Sequence, residues 1–314
     1  MTAIREESVG GSSPTPAVSV LLLTYNHEPF IAQAIESVMS QQASFAYEVI
    51  VAEDCSTDRT REIIRELQRQ YPRRIRLRFP DANLGATRNA LQAIAACRGA
   101  YVALLEGDDY WTDPQKLQLQ FELLRDNPRA FTCGARAWVW REGQVAPDTM
   151  TPIDDSSVLA GYGARELLYG KWWFRTCTKM FPTVHLRAIP PRFLRDWAGT
   201  LWLIAHTDFG DVAFLDRVVG VYREHKRGTW SAMDRNHKLA QDVDTLYRTI
   251  PLFRGSDRAF LAEQMQQNVE EILRSGPPRQ LALTAALRAV RRAAASRHAW
   301  RHLVDSLRVH PRDS

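Results

Sequence analysis

The chain has 314 residues, of which 45% are hydrophobic and 25% charged, so it can bury the core of one large domain or of one domain with an appendage. The longest apolar run near its start, 18–23, is far too short to span a bilayer, and no apolar segment of a secretory signal precedes it. Four cysteines stand far apart without a Cys-x-x-Cys pair, which favours free thiols in a reducing compartment. We therefore expect a cytoplasmic protein that begins with a disordered leader at 1–16.

The net charge of +5 belongs to the end of the chain. Residues 279–314 hold eight arginines against two aspartates, a local charge of +6, so the remainder carries −1. Apolar residues alternate with these arginines at roughly helical spacing. Such helices can pack on the preceding domain or on a second subunit of a homodimer, or they can lie on anionic lipid at the inner face of the cell membrane. Nucleic-acid binding is disfavoured because no recognised module accompanies the charge.

Strand and helix patterns alternate over the first 135 residues, which indicates a largely parallel sheet with helices on its faces. The predicted strands are Val18–Thr24, Tyr47–Ala52, Ile75–Phe79 and Tyr101–Leu105. Helices are predicted over 28–41 and 58–71, from an Asn-Leu-Gly turn at 83–85 to about 97, and from Asp113-Pro114 onward.

The alternation weakens after residue 135. The predicted elements there are a strand at Trp138–Arg141, a helix at Leu201–Ala205 and a β pair at Val212–Leu215 and Val218–Arg223. From 236 onward helices dominate. We expect an α/β domain over 17–235, with halves at 17–135 and 136–235, followed by a basic helical extension over 236–314.

Polar clusters follow three of the predicted strands, at 24–28, 53–58 and 106–109. Ligands bind outside the carboxyl ends of the strands in an open parallel sheet, so we expect these clusters to share one edge and form a site. Helix capping and turn chemistry explain any single cluster equally well, and Asp58 in particular fits a helix cap.

The third cluster, Glu106-Gly107-Asp108-Asp109, is called the acidic turn here. It places carboxylates beside a buried strand, and hard divalent cations shared with substrate phosphates take such oxygens. Gly107 allows the backbone to approach closely. For this segment alone, an acidic surface turn is the alternative interpretation.

Neither common glycine-rich phosphate loop is present in the sequence. The first strand runs into Thr-Tyr-Asn-His-Glu-Pro and not into Gly-x-Gly-x-x-Gly, and no Gly-x-x-x-x-Gly-Lys-Ser/Thr occurs anywhere. A diphosphate at this edge would therefore be neutralised by a metal ion and scattered basic groups.

Four ordered segments resemble the family 2 glycosyltransferases. They are Val-Ser-Val-Leu-Leu-Leu-Thr-Tyr-Asn, Glu-Asp-Cys-Ser-Thr-Asp, Asn-Leu-Gly-Ala-Thr-Arg-Asn and Leu-Glu-Gly-Asp-Asp-Tyr-Trp. The resemblance covers 17–135 closely and 165–235 more loosely. It implies a GT-A fold with a nucleotide-sugar half and an acceptor half, transfer with inversion at the anomeric carbon, a donor that is most often UDP-linked, and Mg²⁺ or Mn²⁺.

The resemblance also implies roles for residues in the first half. The matched donor-binding positions are Thr24, Tyr25, Glu28, Glu53, Asp54, Arg88, Glu106, Gly107 and Asp108. The first three line the base and ribose, Asp54 recognises the nucleobase, and Arg88 lies near the base and phosphates. Asp108 is the expected metal ligand. Glu106 lies nearer the ribose, although the family has the shorter Asp there, and Asp109 either shares the metal or stabilises the turn.

In the second half, Asp196 lies where inverting members present the base that takes the acceptor proton. A helix N-cap is the alternative interpretation of Asp196, and Asp208 and Asp211 are further candidates for the base. The segment 221–231 resembles one that closes the site over the diphosphate. There His225 is a candidate metal ligand, and Arg223 and Lys226 are candidates for neutralising the leaving group.

The acceptor stays open, among a saccharide, a lipid-linked sugar and a small natural product. Trp138, Trp140, Trp172 and Trp173 either stack on it or belong to the core. The Gln-x-x-Arg-Trp motif of processive members is absent, so one sugar per binding event is expected. Two other classes remain: a nucleotidyltransferase, which usually has a glycine-rich basic first loop, and a nucleotide-sugar-binding protein without catalysis, against which Asp108 and Asp196 argue.

Overall fold

The computed structural model describes residues 4–7, 15–151, 174–188, 211–252 and 255–275. The chain divides into two compact units, residues 1–228 and 229–314. Asp196 and Asp208, the helix predicted at 201–205, Trp172 and Trp173, and the arginine-rich tail at 279–314 lie outside the described residues. Within the described part, no helix is both long and apolar enough to cross a membrane.

A single sheet forms the centre of the first unit. Its strands are β1 Ile4–Glu7, β2 Val18–Thr24, β3 Tyr47–Glu53, β4 Ile75–Pro80, β5 Tyr101–Glu106, β6 Tyr110–Trp111, β7 Ala130–Arg141, β8 Thr149–Thr151, β9 Met180–Pro182 and β10 Asp211–Glu224. Their order across the sheet is β1-β4-β3-β2-β5-β9-β7-β10-β6, and β8 pairs with β7. The strands β4, β3, β2, β5, β7 and β10 run in one direction, while the shorter β1, β6, β8 and β9 run against their neighbours. The predicted α/β class with a mostly parallel sheet is confirmed.

Helices cover both faces of this sheet because the central strands are apolar on both sides. The α-helices in the described part of the first unit are α1 Ile31–Met39, α2 Thr60–Gln70, α3 Ala86–Ala96, α4 Lys116–Asp126 and α5 Thr183–Ala188, and a short 3₁₀ helix at Thr176–Thr178 precedes β9. Along β2, Val20 and Leu22 point into the core shared with α1, α2 and α4, whereas Leu21 and Leu23 point into the core shared with α3 and α5. A strand buried on both faces reads as a continuous apolar run, which is the pattern of 18–23.

The segment expected to be a disordered leader contains a strand. Residues 4–7 pair antiparallel with β4, and the Glu6 carboxylate meets the guanidinium groups of Arg76 and Arg78. The expectation of disorder does not hold for these four residues. The strand forms because its glutamate pairs with arginines about seventy positions away. The sequence around the strand therefore carries no apolar signal that would predict it.

The β pair predicted at 212–223 is one strand, β10, which runs parallel to β7. The pairing register shifts between Leu215 and Val218, and the intervening Asp216 accepts a hydrogen bond from Arg136 Nε at 2.5 Å. The residues between the two predicted strands therefore form a bulge, which a long strand tolerates. Because β10 continues to Glu224, the residues that follow it reach the same sheet edge as the polar clusters.

The described part of the second unit contains two α-helices, α6 Arg235–Thr249 and α7 Gly255–Arg274, with a short 3₁₀ helix at Ile250–Leu252 between them in the sequence. Asp234 caps α6, since its carboxylate accepts a hydrogen bond from the His237 N–H at 3.0 Å. The apolar residues buried in this unit include Val243, Leu246, Leu261, Met265, Val269 and Ile272. They recur at helical spacing, which agrees with the helices predicted from residue 236 onward.

Candidate functional site

The carboxyl ends of β3, β2 and β5 are neighbours in the sheet, so the three polar clusters meet at one edge. Backbone hydrogen bonds extend beyond the strand ends. The Asp54 N–H donates to the Thr24 carbonyl at 3.0 Å, and the Gly107 N–H donates to the Leu23 carbonyl at 2.8 Å. The three loops are therefore tied to one another through the main chain.

Gly107 brings the acidic turn against the loop that follows β2. A Cβ atom at this position would lie 2.6 Å from Thr24 Oγ1 and 2.8 Å from His27 Nδ1. Contacts this short cannot persist in a close-packed interior, so any larger residue must displace the turn or the loop. Glycine at 107 thus sets the distance between Asp108 and the histidine at position 27.

Asp108 lies between two imidazole rings. Its Oδ2 atom is 3.1 Å from His225 Nε2 and 3.6 Å from His27 Nε2. Burial by itself raises the pKa of the Asp108 carboxyl, but His27 and His225 outweigh burial and hold that pKa below its usual value. Burial lowers the pKa of His27 in spite of the neighbouring Asp108 charge. Asp108 is therefore an ionised carboxylate with ring nitrogens on two sides.

Packing and hydrogen bonds fix both rings. His225 follows β10, its side chain is 3% exposed, and its ring lies 4.7 Å from that of Phe30. His27 Nδ1 is 3.2 Å from Thr24 Oγ1, and the His27 N–H donates to Thr60 Oγ1 at 2.8 Å. The sequence pattern does not single out His27; its one signal is a place inside the cluster at 24–28.

Arg223 clamps the acidic turn from the side of β10. Its backbone N–H donates to Asp109 Oδ1 at 2.8 Å, and its guanidinium donates to the Asp108 carbonyl at 2.6 Å and to the Gln33 side chain. The guanidinium also lies over the Tyr110 ring, 4.4 Å from its centroid. The predicted role for Arg223 was neutralisation of a leaving group, yet its donors here are directed at the protein.

Asp109 is buried below the turn and is 1% exposed. Burial raises the pKa of its carboxyl, and the charges of Asp108 and Glu106 raise it further. Burial likewise raises the pKa of Glu106 to about 8, with Asp108 adding to the effect and Lys179 opposing it. Asp109 Oδ2 and Glu106 Oε2 are buried without a hydrogen-bond partner. Each of these oxygens therefore lacks the hydrogen bond that a buried polar atom usually has.

The loop after β3 contains one structural carboxylate and one at the site edge. Glu53 is fully buried and accepts hydrogen bonds from Arg61 Nε at 2.7 Å and from the Ser56 N–H at 2.5 Å. Asp54 accepts a hydrogen bond from the Leu84 N–H at 2.8 Å, and burial raises its pKa. Glu53 thus shapes the loop, whereas Asp54 joins it to the Asn-Leu-Gly turn.

The remaining predicted donor-binding residues differ in their exposure and in the hydrogen bonds that they make within the protein. Tyr25 is 42% exposed, and Arg88 is exposed on the first turn of α3. The Glu28 carboxylate accepts a hydrogen bond from the Arg59 N–H at 3.2 Å, which ties it to the start of α2. Lys226 is exposed just beyond β10, where its backbone N–H donates to the Glu142 carboxylate at 2.9 Å.

The donor atoms of this edge fit a divalent cation that is shared with a phosphate. Asp108 offers a carboxylate oxygen and His225 a ring nitrogen, both of which such cations accept, and the unpartnered Asp109 Oδ2 lies in the same turn. Within the ranges that the structure describes, no group of three or more His, Cys, Asp or Glu side chains is arranged to hold a metal ion by itself. A cation here would take further ligands from the substrate, as Mg²⁺ commonly does.

Comparison with known proteins gives a family for the first unit. The model of the family described as glycosyl transferase family 2 matches residues 19–179. The chain is similar to an uncharacterized protein of Mycobacterium tuberculosis, with 32% identity over 219 residues, which are 68% of this chain and 60% of the relative. It is also similar to an uncharacterized glycosyltransferase of Methanocaldococcus jannaschii, with 33% identity over 118 residues, which are 37% of this chain and 40% of the relative. The chain thus spans less than two thirds of the length of each of these relatives.

Solved structures share the fold at low sequence identity. The mannosyltransferase PcManGT from Pyrobaculum calidifontis, in complex with GDP-Man and Mn²⁺, is 20% identical with a TM-score of 0.60, over 97% of this chain and 83% of that chain. TarS 1–349 of S. aureus, in complex with UDP-GlcNAc, is 16% identical with a TM-score of 0.54, over 93% of this chain and 91% of that chain. Both structures are similar to this chain in their GT-A fold.

Proposed function

Because the chain belongs to glycosyl transferase family 2, we propose that it transfers a sugar from a nucleotide-sugar donor to an acceptor hydroxyl group. The observation that carries this proposal is the half-buried, ionised Asp108, held between His225 and His27 at the carboxyl edge of a parallel sheet. Two proteins of similar fold, whose printed descriptions name GDP-Man with Mn²⁺ and UDP-GlcNAc, support a nucleotide sugar as the ligand of this edge.

Asp108 and His225 are the protein groups that would hold Mn²⁺ or Mg²⁺, with Asp109 Oδ2 beneath them. When bound, the cation supplies positive charge that stabilises the departing diphosphate. Arg223 keeps the turn in place through the Asp108 carbonyl. Lys226, which is exposed beside His225, is the better placed of the two basic residues to approach a phosphate.

The donor nucleotide lies along the loops after β2 and β3 in this proposal, and UDP is the expected nucleotide. Tyr25 and Arg88 have exposed side chains that can contact the base and phosphates, and Asp54 lies at the turn between them. Glu53 and Glu28 contribute indirectly, because their carboxylates are committed to Arg61 and to the start of α2.

Transfer proceeds with inversion in this proposal. The carboxylate of Asp196 takes the proton of the acceptor hydroxyl while that oxygen forms a bond to the anomeric carbon. The bond from the anomeric carbon to the diphosphate breaks on the opposite face, and its electrons leave with the nucleoside diphosphate. The acceptor is a saccharide, a lipid-linked sugar or a small molecule, and the tail at 279–314 is proposed to contact a membrane surface or a second subunit.

Titration calorimetry with UDP and Mn²⁺ tests the donor site. Replacing Asp108→Asn keeps the shape of the side chain but removes the charge, so we expect Mn²⁺-dependent binding of UDP to be lost. Asp126→Asn is the matched control, because Asp126 is an exposed aspartate that pairs with its neighbour Arg125 at the end of α4. Equal affinity in the Asp108→Asn variant and the unaltered protein would overturn the metal assignment. UDP binding without turnover of any donor would instead favour a binding protein without catalysis.

A further inference from the structure

The loops that follow β2 and β3 each contain a residue in the left-handed backbone region. Among the described residues other than glycine, those with positive φ are Asn26 at +56° and Cys55 at +63°. Most side chains are strained in this region and persist there only where their surroundings fix them. Glycine would adopt the same φ without strain, whereas asparagine is tolerated and also brings a side-chain amide. The choice of Asn at position 26 therefore indicates that its amide group is used.

The Asn26 side chain joins the two loops. Its Oδ1 atom accepts hydrogen bonds from the Thr57 N–H at 2.8 Å and from Thr57 Oγ1 at 3.3 Å. In the other direction, the Asn26 N–H donates to Ser56 Oγ at 2.9 Å. One residue of the first loop is thus bonded to two consecutive residues of the second through both its backbone and its side chain.

These bonds fix the main chain on either side of two donor-binding positions. Tyr25 lies between Asn26 and Thr24, whose carbonyl accepts a hydrogen bond from the Asp54 N–H at 3.0 Å. Asp54 in turn lies between that main-chain bond and the bond from Asn26 to Ser56. The Tyr25 side chain, between two anchored neighbours, is 42% exposed. The backbones of Tyr25 and Asp54 are therefore held at a fixed separation while the Tyr25 ring stays open to a ligand.

A nucleotide that binds against two loops gains affinity when the loops are already in place, because ordering them on binding costs free energy. Tyr25 and Asp54 are among the residues that the proposed function places along the nucleotide. We propose that Asn26 is a positioning residue that holds Tyr25 and Asp54 in their nucleotide-binding arrangement. It acts through Ser56 and Thr57, because its Oδ1 atom is committed to Thr57. This inference rests on the proposed function.

Three variants at position 26 separate the side chain from the backbone. Asn26→Gly tolerates the left-handed backbone but removes the acceptor, Asn26→Asp keeps an acceptor of the same reach, and Asn26→Ala loses the acceptor and is strained. The affinity for UDP is measured by calorimetry with Mn²⁺ and again in EDTA. Thermal melts are recorded for the same samples.

We expect Asn26→Gly and Asn26→Ala to lower the affinity for UDP by about 5- to 30-fold, since the hydrogen bonds to Thr57 no longer order the loops. Asn26→Asp should restore the affinity to within about threefold of the unaltered protein. Asn26→Ala should melt below Asn26→Gly because alanine is strained at positive φ. The ratio of the affinity with Mn²⁺ to that in EDTA should stay unchanged in all three, whereas Asp108→Asn should abolish this metal dependence.

Asn127→Gly is the matched control. The Asn127 side chain also donates to a main-chain carbonyl, that of Leu123 at 2.8 Å, but it does so at the end of α4, before β7 begins at the opposite edge of the sheet. We expect this variant to lower the melting temperature and to leave the affinity for UDP unchanged.

The results that would overturn the inference differ from those that would overturn the proposed function. UDP binding by Asn26→Gly and Asn26→Ala that equals that of the unaltered protein removes the positioning role. A loss of affinity in Asn127→Gly as large as that in Asn26→Gly removes it as well, because the effect would then follow stability alone. Failure of the unaltered protein to bind UDP in either condition overturns the proposed function and this inference with it.

Discussion

Replacing Gly107 by alanine is expected to damage the acidic turn more than the fold. The new Cβ atom would lie 2.6 Å from Thr24 Oγ1 and 2.8 Å from His27 Nδ1, so the turn must move away from the loop after β2. Overpacking of this kind costs about 1–3 kcal/mol. The displacement acts directly on Asp108, whose Oδ2 is 3.1 Å from His225 Nε2.

The free-energy cost of this overpacking can weaken the binding of the ligand, lower the stability of the fold, or do both. If the whole cost destabilises only the ligand-bound state, the affinity for UDP with Mn²⁺ falls by about 5- to 140-fold, since 1.4 kcal/mol is a factor of ten. Any part that falls on folding lowers the melting temperature by about 2–4 °C per kcal/mol for a domain of about 200 residues. Calorimetric titration and thermal melts of the same samples measure both parts.

Gly99→Ala is the matched control for this prediction. A Cβ atom at Gly99 would lie 2.5 Å from the Ser19 nitrogen and 2.7 Å from the Val18 carbonyl carbon, at the opposite end of β5. We expect this variant to lose stability while its affinity for UDP is unchanged. Equal losses of affinity in the two variants, or no loss in Gly107→Ala, would refute the link between glycine packing and the position of Asp108.

Three further predictions concern buried groups. Burial lowers the pKa of Lys116 to about 8. Above pH 8 the unfolded chain keeps the Lys116 proton that the folded chain has released, so raising the pH favours the folded state. The free energy of unfolding of the unaltered protein should therefore rise relative to that of Lys116→Met by up to about 1.4 kcal/mol per pH unit. The rise should end at the ordinary lysine pKa. Thermal melts below and above pH 8 check this, and a constant difference would contradict it. Burial raises the pKa of the Cys97 and Cys133 thiols to about 12, and it raises the pKa of the Cys177 thiol well above its usual value. Iodoacetamide should therefore label only Cys55 in the folded protein. Peptide mass spectrometry identifies the labelled thiol, and early labelling of a buried one would count against the described core. Arg223→Lys keeps the charge but loses the two guanidinium hydrogen bonds to the Asp108 carbonyl and Gln33. We expect a loss of about 1.5–3 kcal/mol in the free energy of unfolding and weaker Mn²⁺-dependent binding of UDP. An unchanged melting temperature would argue against the clamp.

The central sheet could be predicted because its signals are local. The strand β2 is buried at every position and β3 at nearly every position, so each reads as a short apolar run that ends in polar residues. Their predicted bounds agree with the structure to within one residue. The edge at which the polar clusters meet follows from the parallel arrangement alone.

Features that depend on distant partners could not be predicted in the same way. The strand β1 forms because Glu6 pairs with Arg76 and Arg78. The strand β7 begins at Ala130, where small, aromatic and polar residues alternate without an apolar run and are buried by neighbours far along the chain. The residue types at 53 and 223 suggested ligand contacts, but Glu53 is directed to Arg61 and the Arg223 guanidinium to a main-chain carbonyl. A charged residue type indicates that a partner exists without indicating which one.

The separation of Asp108 and His225 by 117 positions has a consequence for the growing polypeptide. At about 5–20 residues per second, the ribosome adds the second residue about 6–23 s after the first. During that interval the carboxylates of the acidic turn face one another without the imidazole of His225 or the guanidinium of Arg223. The early strands can pair, but this edge of the sheet stays incomplete until β10 has been synthesised. We therefore expect ribosome-bound chains that stop before β10 to expose an unfinished sheet edge, and chaperones to bind these chains more readily than the full-length one.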